Sequence, residues 1–183
     1  MKISELLDAA RKRAEPVLQG VTDDQLDQPT PCAEYTVRDL LNHLLHVVVQ
    51  FQELAAKRDA DFSTTPDRVE EDWRAEFTKQ LENLVRAWDA PGAEEGTSGQ
   101  MSLPARTVGQ MALLDLTVHA WDIARATGQD FTPDPAAVDE LFGFVDQMGP
   151  TAREMNVFGP ATETTAGASE FERLLAATGR IPV

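Results

Sequence analysis

One apolar stretch, Met111–Thr127, constrains the fold more than any other part of the chain. Read as a helix, it carries apolar side chains over nearly its whole circumference, which is typical of a buried helix. Asp115, His119 and Asp122 interrupt this surface. At about 100° per residue, His119 lies about 40° to one side of Asp115 and Asp122 about 20° to the other, so the three share one strip. The strip is flanked by apolar residues and is expected to face the interior, where these groups need a metal ion or a tight ion-pair network.

A second predicted helix contributes two of the three histidines of the chain. It begins after Thr36, a residue type that commonly caps helices, and fades near Arg58. Its apolar residues cover much of its surface. Its polar residues fall within an arc of about 100°: Asp39, Asn42, His43, His46, Gln50 and Glu53. Because this arc stays polar along its whole length, it is compatible with water as well as with the interior.

The spacing of apolar and capping residues predicts four further helices. They run from Ser4 to Gly20, Asp67 to Trp88, Asp134 to about Met148 and Ser169 to Gly179. A capping box at Thr107 and Gln110 is predicted to start the buried helix, which ends at Gly128. Strand signals are nearly absent. We therefore predict an all-α protein, a four-helix bundle with short additional helices, in which the second and fourth long helices face each other with polar groups.

Two prolines and one long loop modify this helical pattern. Pro16 is expected to kink the first helix, and Pro150 is expected to interrupt the helix that begins at Asp134. The segment Asp89–Arg106 is rich in glycine and proline and is predicted to be the longest loop. A loop of this length is either a functional cover or disordered.

The composition excludes several classes of partner. The chain has 31 acidic and 16 basic residues, a net charge of −15, and no basic cluster, so nucleic acid and anionic membrane surfaces would be repelled. With 42% hydrophobic and 26% charged residues, residues 1–183 are expected to form a single domain. The charged start does not fit a signal peptide, and no apolar run approaches the roughly 18 residues of a membrane span. We therefore expect a cytoplasmic protein.

The single cysteine of the chain, Cys32, leaves no partner for an internal disulfide. It lies just before the second helix, where a thiol can be activated by the helix start. The alternative is a small buried apolar group.

The two polar strips together offer ligands for a metal ion. Asp115 and His119 are four residues apart and can bind one ion from one helix, and His43 can complete a three-ligand set with an open position. Such ligands suit zinc, and also nickel, iron(II) or manganese. His46 can replace His43 or act as a base, and Asp122 is better suited to orienting a ligand. The alternative is an ion pair between Asp115 and His119 alone.

Two segments of the sequence resemble the hallmark segments of a known family. They are PCAEYTVRDLLNHL at residues 31–44 and DLTVHAWDIARATG at residues 115–128. They are similar to segments of actinobacterial metal-binding proteins in the DinB-like superfamily, close to the mycothiol-dependent maleylpyruvate isomerase group. The segments Val157–Pro160 and LLAATGR at residues 174–180 are also similar to that group, so the resemblance spans nearly the whole chain.

The resemblance implies a four-helix bundle that holds one divalent metal ion through His43, Asp115 and His119. Relatives in the isomerase group usually have Glu in place of Asp115, and classical members have His. The shorter side chain of Asp115 is therefore expected to shift the position of the metal ion or to weaken its binding. The isomerase carries an extra C-terminal domain for which 183 residues leave little room. Its specific reaction is therefore not carried over.

The resulting hypothesis is a cytoplasmic metalloenzyme that uses a low-molecular-weight thiol such as mycothiol on a small electrophilic substrate, by transfer or isomerisation. His46 or Asp122 is the first candidate for proton handling or ligand orientation. The alternatives are a non-catalytic metal- or ligand-binding bundle and a purely structural bundle. The resemblance is also compatible with a homodimer, for which the helix Asp67–Trp88 is the first surface to inspect.

Overall fold

The computed structural model describes residues 1–182, and α-helices dominate them. The helices are α1 (Ile3–Gln19), α2 (Val37–Ala55), α3 (Trp73–Asp89), α4 (Ala105–Thr127), α5 (Pro135–Glu154) and α6 (Glu170–Ala177). A 3-10 turn covers Asp23–Gln25, and the two-residue strands β1 (Thr97–Ser98) and β2 (Leu103–Pro104) pair in antiparallel fashion. The all-α prediction is confirmed. None of the helices in residues 1–182 is long and apolar enough to cross a membrane.

Four helices form the bundle. α1 and α2 each pack against both α3 and α4, while α5 packs against α4 and α1, and α6 packs against α5. One contiguous set of buried aliphatic and aromatic side chains receives residues from all six helices. α4 is buried along most of its length, as its apolar circumference predicts. α5 and α6 are the additions to the predicted bundle.

Local capping explains where several helices begin and end. The Thr36 hydroxyl accepts a hydrogen bond from the Asp39 amide at 3.2 Å, and the Asp39 carboxylate accepts one from the Thr36 amide at 3.0 Å. Asp134 and Ser169 cap α5 and α6, as predicted. Gly128 ends α4 with a φ of 69°, a left-handed conformation that favours glycine.

α3 begins at Trp73, six residues after the predicted start at Asp67. The side chain of Asn42 explains the difference, because its Oδ1 accepts hydrogen bonds from the backbone amides of Arg68 at 2.7 Å and Val69 at 3.2 Å. These bonds hold the segment before α3 against α2 in a non-helical conformation. The predicted start was wrong because a side chain from a distant helix competes for this backbone.

α4 begins at Ala105, two residues before the predicted cap at Thr107. The side chain of Gln110, the predicted partner of that cap, donates instead to Glu140 of α5 at 2.7 Å. Arg106 donates to the same carboxylate at 2.7 Å. The predicted capping box is wrong because its second member is engaged by α5.

The two helical prolines do not end their helices. Pro16 lies inside α1, and α5 continues past Pro150, so the predicted interruption at Pro150 is wrong. α1 also begins at Ile3 rather than after Ser4, whose hydroxyl donates to Asp89 at 3.0 Å and so links α1 to the end of α3. The long predicted loop contains β1 and β2 and is ordered by their pairing.

A glycine allows α4 to approach α1 closely. A β-carbon at Gly109 would lie 2.7 Å from Cγ2 of Ile3 and 3.1 Å from the ring of Trp88. We predict that Gly109→Ala lowers the free energy of unfolding by about 1–3 kcal/mol, because the added methyl overpacks this contact. The control is Gly143→Ala on α5, where no atom lies within 4 Å and alanine should stabilise the helix by about 0.5–1 kcal/mol. Urea unfolding of both variants tests the pair, and equal effects would contradict it.

Candidate metal centre

Two helices bring together the three side chains predicted as metal ligands. α2 contributes His43, and α4 contributes Asp115 and His119. One donor atom from each residue lies within 4.8 Å of the others, and the two imidazole rings are nearly perpendicular with centroids 5.1 Å apart. His119 Nε2 is 3.8 Å from Asp115 Oδ1. This distance is too long for a hydrogen bond. It is compatible with one ion that lies between the two atoms and is bound by each at about 2.0–2.2 Å.

A hydrogen bond orients the ring of His119. Its Nδ1 lies 3.0 Å from Oδ2 of Asp122. Because an ionised carboxylate only accepts, Nδ1 carries the proton and Nε2 keeps its lone pair on the side of Asp115. A carboxylate behind the imidazole is the arrangement that commonly fixes the tautomer of metal-binding histidines.

The fully buried carboxylate of Asp122 is neutralised by Arg180, 58 positions later in the chain. Nη2 of Arg180 is 2.8 Å from Oδ2 and its Nε is 3.3 Å from Oδ1, a bidentate pair. Burial alone would raise the pKa of Asp122, but the hydrogen bonds from His119 and Arg180 outweigh it and hold this pKa below its usual range. The alternative in which Asp115 and His119 pair only with each other does not describe this arrangement, because His119 also has a hydrogen bond with Asp122.

The charge states of the other two donors suit a cation. Burial, with smaller contributions from His119 and His46, lowers the pKa of His43 to about 4, so its ring is neutral near pH 7 and has a lone pair to donate. The Asp115 side chain is 31% exposed, and burial raises its pKa, an effect that His119 and Arg180 partly offset. A divalent ion would stabilise both the carboxylate and the neutral imidazoles. The donor set therefore fits such an ion.

A second group of possible ligands overlaps the first. Donor atoms of Cys32, His119 and Asp122 also lie within 4.8 Å of one another. Asp122 already accepts hydrogen bonds from His119 and Arg180, and burial raises the pKa of the Cys32 thiol, which favours the uncharged form. The set with His43 and Asp115 is therefore the better fit. Cys32 itself is half-buried on the wall of the site.

The ligand set faces a cavity of about 600 Å³, a size typical of small-molecule sites. Its walls come from the segment before α2, from α2 and α4, and from two segments near the end of the chain, 156–159 and 178–180. The three donors thus border a space that a small molecule can enter. Sites that keep a ligand position open have this arrangement, whereas structural sites enclose the ion.

His46 lies outside this cluster. It is buried on α2, and its Nε2 is 2.8 Å from the carbonyl oxygen of Asp61, to which it donates. Its ring packs edge-on against Phe62 with a centroid distance of 6.3 Å. Together with Asn42 and Gln50, His46 holds the connection between α2 and α3 against the middle of the polar arc, whereas Asp39 at its start is exposed to water. The structure does not bring His46 to the three donors, and its catalytic role stays a prediction.

Arg180 is the site residue that sequence reasoning missed. It follows α6, and no periodic pattern links it to α4; the family-like segment LLAATGR was the one signal in the sequence. Gly179 has a φ of 89°, and a β-carbon there would lie 2.9 Å from Cα of Gly159. This close contact between two backbone segments carries Arg180 to Asp122.

The lowered pKa of His43 predicts a pH dependence of stability. Below pH 6.5 His43 becomes protonated in the unfolded chain, whereas in the folded chain it becomes protonated only near pH 4. The free energy of unfolding therefore falls as the pH falls from 6.5 to 4. Each unit of pKa shift corresponds to about 1.4 kcal/mol, so the loss of unfolding free energy over this pH range approaches about 3 kcal/mol. We expect metal-free wild type to lose this much more stability than His43→Gln between pH 6.5 and 4, measured by urea unfolding. Parallel pH profiles of the two proteins would contradict the prediction.

A helical bundle in which two histidines and a carboxylate from two helices meet at an open cavity defines a candidate metal-binding protein. The chain belongs to the mycothiol maleylpyruvate isomerase N-terminal domain family, whose model matches residues 7–124. This confirms the family resemblance seen in the sequence. The match contains all three proposed ligands and Asp122, while Arg180 lies outside it.

Among curated proteins, the chain is similar to an uncharacterized protein of Mycobacterium tuberculosis, found in strains CDC 1551 / Oshkosh and H37Rv. The two sequences are 34% identical over 143 residues, which cover 75% of this chain and 74% of the relative. No solved structure matches the chain.

Proposed function

We propose that the protein binds a divalent metal ion and uses a low-molecular-weight thiol, mycothiol or a related one, to act on a small electrophilic substrate by transfer or isomerisation. Zinc is the first choice, with nickel, iron(II) and manganese as alternatives. The observation that carries the proposal is the convergence of His43, Asp115 and His119 on an open cavity. Membership of a family whose description names mycothiol supports the choice of thiol.

In this proposal His43, Asp115 and His119 hold the ion, and Asp122 and Arg180 prepare His119 for it. Asp122 keeps the proton on Nδ1, and Arg180 keeps Asp122 ionised. The lone pair of Nε2 is thus oriented before the ion arrives. When bound, such an ion supplies Lewis acidity and lowers the pKa of a coordinated water or thiol toward neutrality.

Asp122 acts as a positioning residue in this proposal rather than as a proton carrier. The carboxylate is fully buried, and both of its oxygens accept hydrogen bonds from Arg180. A carboxylate held in this way orients its neighbour but has no free position for a substrate proton. Its negative charge would instead orient the ring of His119.

The proposed partners are the small-molecule substrate and the thiol. Such a thiol stays reduced in the cytoplasm, which is the location we propose. The net charge of −15 argues against nucleic acid and anionic membrane surfaces as partners. The homodimer suggested by the family resemblance stays a prediction.

The proposal is tested by a thiol-dependent activity screen. Zinc-loaded protein is incubated with mycothiol and a panel of electrophiles that includes an epoxide, an alkyl halide and an α,β-unsaturated ketone, and the loss of both the electrophile and the free thiol is followed. A transfer consumes both, whereas an isomerisation consumes the electrophile and returns the thiol. We expect at least one electrophile to react faster than with metal-free protein or with zinc-treated Asp115→Ala. Equal rates of electrophile loss in all three samples over the whole panel would contradict the proposal.

A non-catalytic metal-binding bundle is the second candidate. One observation favours it: the Cys32 thiol lies within 4.8 Å of a donor atom of His119, so a movement of this side chain toward His43 and Asp115 would supply a fourth protein ligand and close the site. X-ray absorption of zinc-loaded protein without added thiol separates the two candidates. A sulfur atom in the zinc coordination shell that disappears in Cys32→Ser would favour the closed, non-catalytic site.

A further inference from the structure

We infer that the substrate of this site is a molecule with an apolar arm, of alkyl or aromatic character, rather than a short dicarboxylate. This inference rests on the proposed function, because it names the class of substrate for the same site. It is carried by the shape and the charge of the space beside the three donor residues.

A second cavity adjoins the cavity at the candidate metal centre. It has a volume of about 200 Å³ and is lined mainly by apolar side chains, with Ser98 and Gln100 as polar members of its wall. Phe51, Phe62 and Met111 line both cavities, so the two are neighbours, and we treat them as one groove that leads away from the donors. A ligand whose head lies at the donors can therefore extend a chain past Met111. We call this extension the apolar arm site.

Three large apolar side chains along this groove are exposed to solvent. Phe62 is 51% exposed, Met101 is 65% exposed and Val157 is 66% exposed, and each lines one or both of the cavities. Large apolar side chains exposed together at one surface mark interaction sites more often than chance. An apolar ligand would remove these side chains from water, which is favourable. A charged ligand would place its own charged groups against them and would not give this gain.

The charge of the groove is unsuited to a dianion. Among the described residues that line the two cavities, Arg180 is the one lysine or arginine, and its guanidinium is already engaged by Asp122. Glu34 and Asp115 add negative charge to the same wall. Carboxylate recognition commonly uses unengaged arginine or lysine side chains in bidentate or paired contacts. A bound divalent ion would take one carboxylate of a dicarboxylate, but the second carboxylate would meet no unengaged lysine or arginine among these lining residues.

The first test uses zinc-loaded full-length protein and n-alkyl hydroxamates of two, four, six and eight carbons, with maleate as the dicarboxylate. We expect affinity measured by calorimetry to rise about three- to fourfold per methylene beyond the head group, and maleate to bind far more weakly than the octyl compound. In Phe62→Ser the gain per methylene should shrink, so that the octyl compound loses more affinity than the two-carbon compound. Phe142→Ser, which removes an exposed phenylalanine outside this groove, is the matched control and should keep the full gain.

A second test does not depend on the metal. Metal-free protein labelled with ¹³C in the methionine methyl groups is titrated with butan-1-ol, hexan-1-ol and octan-1-ol. We expect the signals of Met101 and Met111 to shift with a midpoint that falls with chain length, and those of Met1 and Met148 to stay in place.

The outcomes separate this inference from the proposed function. Chain-length dependence with the alcohols, in a protein that binds no zinc, would support the apolar arm site and overturn the proposed function. Zinc binding with no chain-length dependence in either series, or with maleate as the tightest ligand, would overturn the apolar arm and leave the metal centre standing.

Discussion

Replacing His119 or His43 by alanine is expected to abolish tight binding of a divalent ion, from about one ion per chain to none. Each substitution removes one of three donors, and the remaining two cannot form the set of ligands that tight sites use. The measurement is elemental analysis of purified protein after exposure to zinc, nickel, iron(II) and manganese, followed by removal of free metal. Metal retained at the same stoichiometry in both variants would contradict the centre.

His46→Ala is the matched control for this experiment. His46 lies one turn from His43 on α2 and has the same chemistry, but its Nε2 donates to the backbone of Asp61 rather than facing the cavity. We expect this variant to keep the ion while it loses some stability, because the connection after α2 loses a hydrogen bond worth about 1 kcal/mol. Loss of the ion in His46→Ala as well would show that the histidines act through the fold and not as ligands.

The largest expected effect on stability comes from Arg180→Leu. This change leaves the fully buried carboxylate of Asp122 without its cation, and breaking a buried pair in this way typically costs about 3–5 kcal/mol. The hydrogen bond from His119 remains, so we expect a value near 3 kcal/mol. Urea unfolding of metal-free protein measures it, and metal affinity should fall by about 10- to 100-fold because His119 loses its support.

Two further variants test whether the unpaired buried charge of Asp122 causes the loss of stability in Arg180→Leu. The double variant Asp122→Asn with Arg180→Leu removes both charges and should recover part of the stability lost in Arg180→Leu alone. Arg86→Leu removes an arginine from an exposed pair with Glu82 and should cost no more than about 0.5 kcal/mol. If Arg180→Leu costs no more than Arg86→Leu, the pair with Asp122 does not contribute in the way the distances indicate.

Local patterns were sufficient to predict α4 and the shared face of two proposed ligands on it. Asp115 and His119 face the same direction because they are four residues apart on a helix, and this relation needs no knowledge of the rest of the fold. His43 was harder, since its place beside His119 depends on how α2 packs against α4. A single polar arc carried both His43 and His46, and only the family resemblance separated them.

The remaining misses share one physical reason, which is that side chains far apart in sequence compete for the same backbone or charge. Asn42 holds the segment before α3 and delays the start of that helix, although the local apolar spacing predicts an earlier one. Arg180 reaches Asp122 because the segment after α6 packs against residues 156–159. Neither contact follows from a local period, and the family-like segment LLAATGR marks Arg180 without indicating its partner.

The anchoring of Asp122 by Arg180 also divides the molecule into parts that can open separately. Segment 178–180 is tied to α4 by this ion pair and packs against Gly159, whereas α1 to α4 share the large core. Sub-global openings that release a short segment cost less free energy than unfolding the core. In such an open form the four-helix core stays folded, but Asp122 loses its cation and holds the imidazole of His119 less firmly. Amide hydrogen exchange at residues 178–180 would then report how often the centre is switched out of its binding geometry.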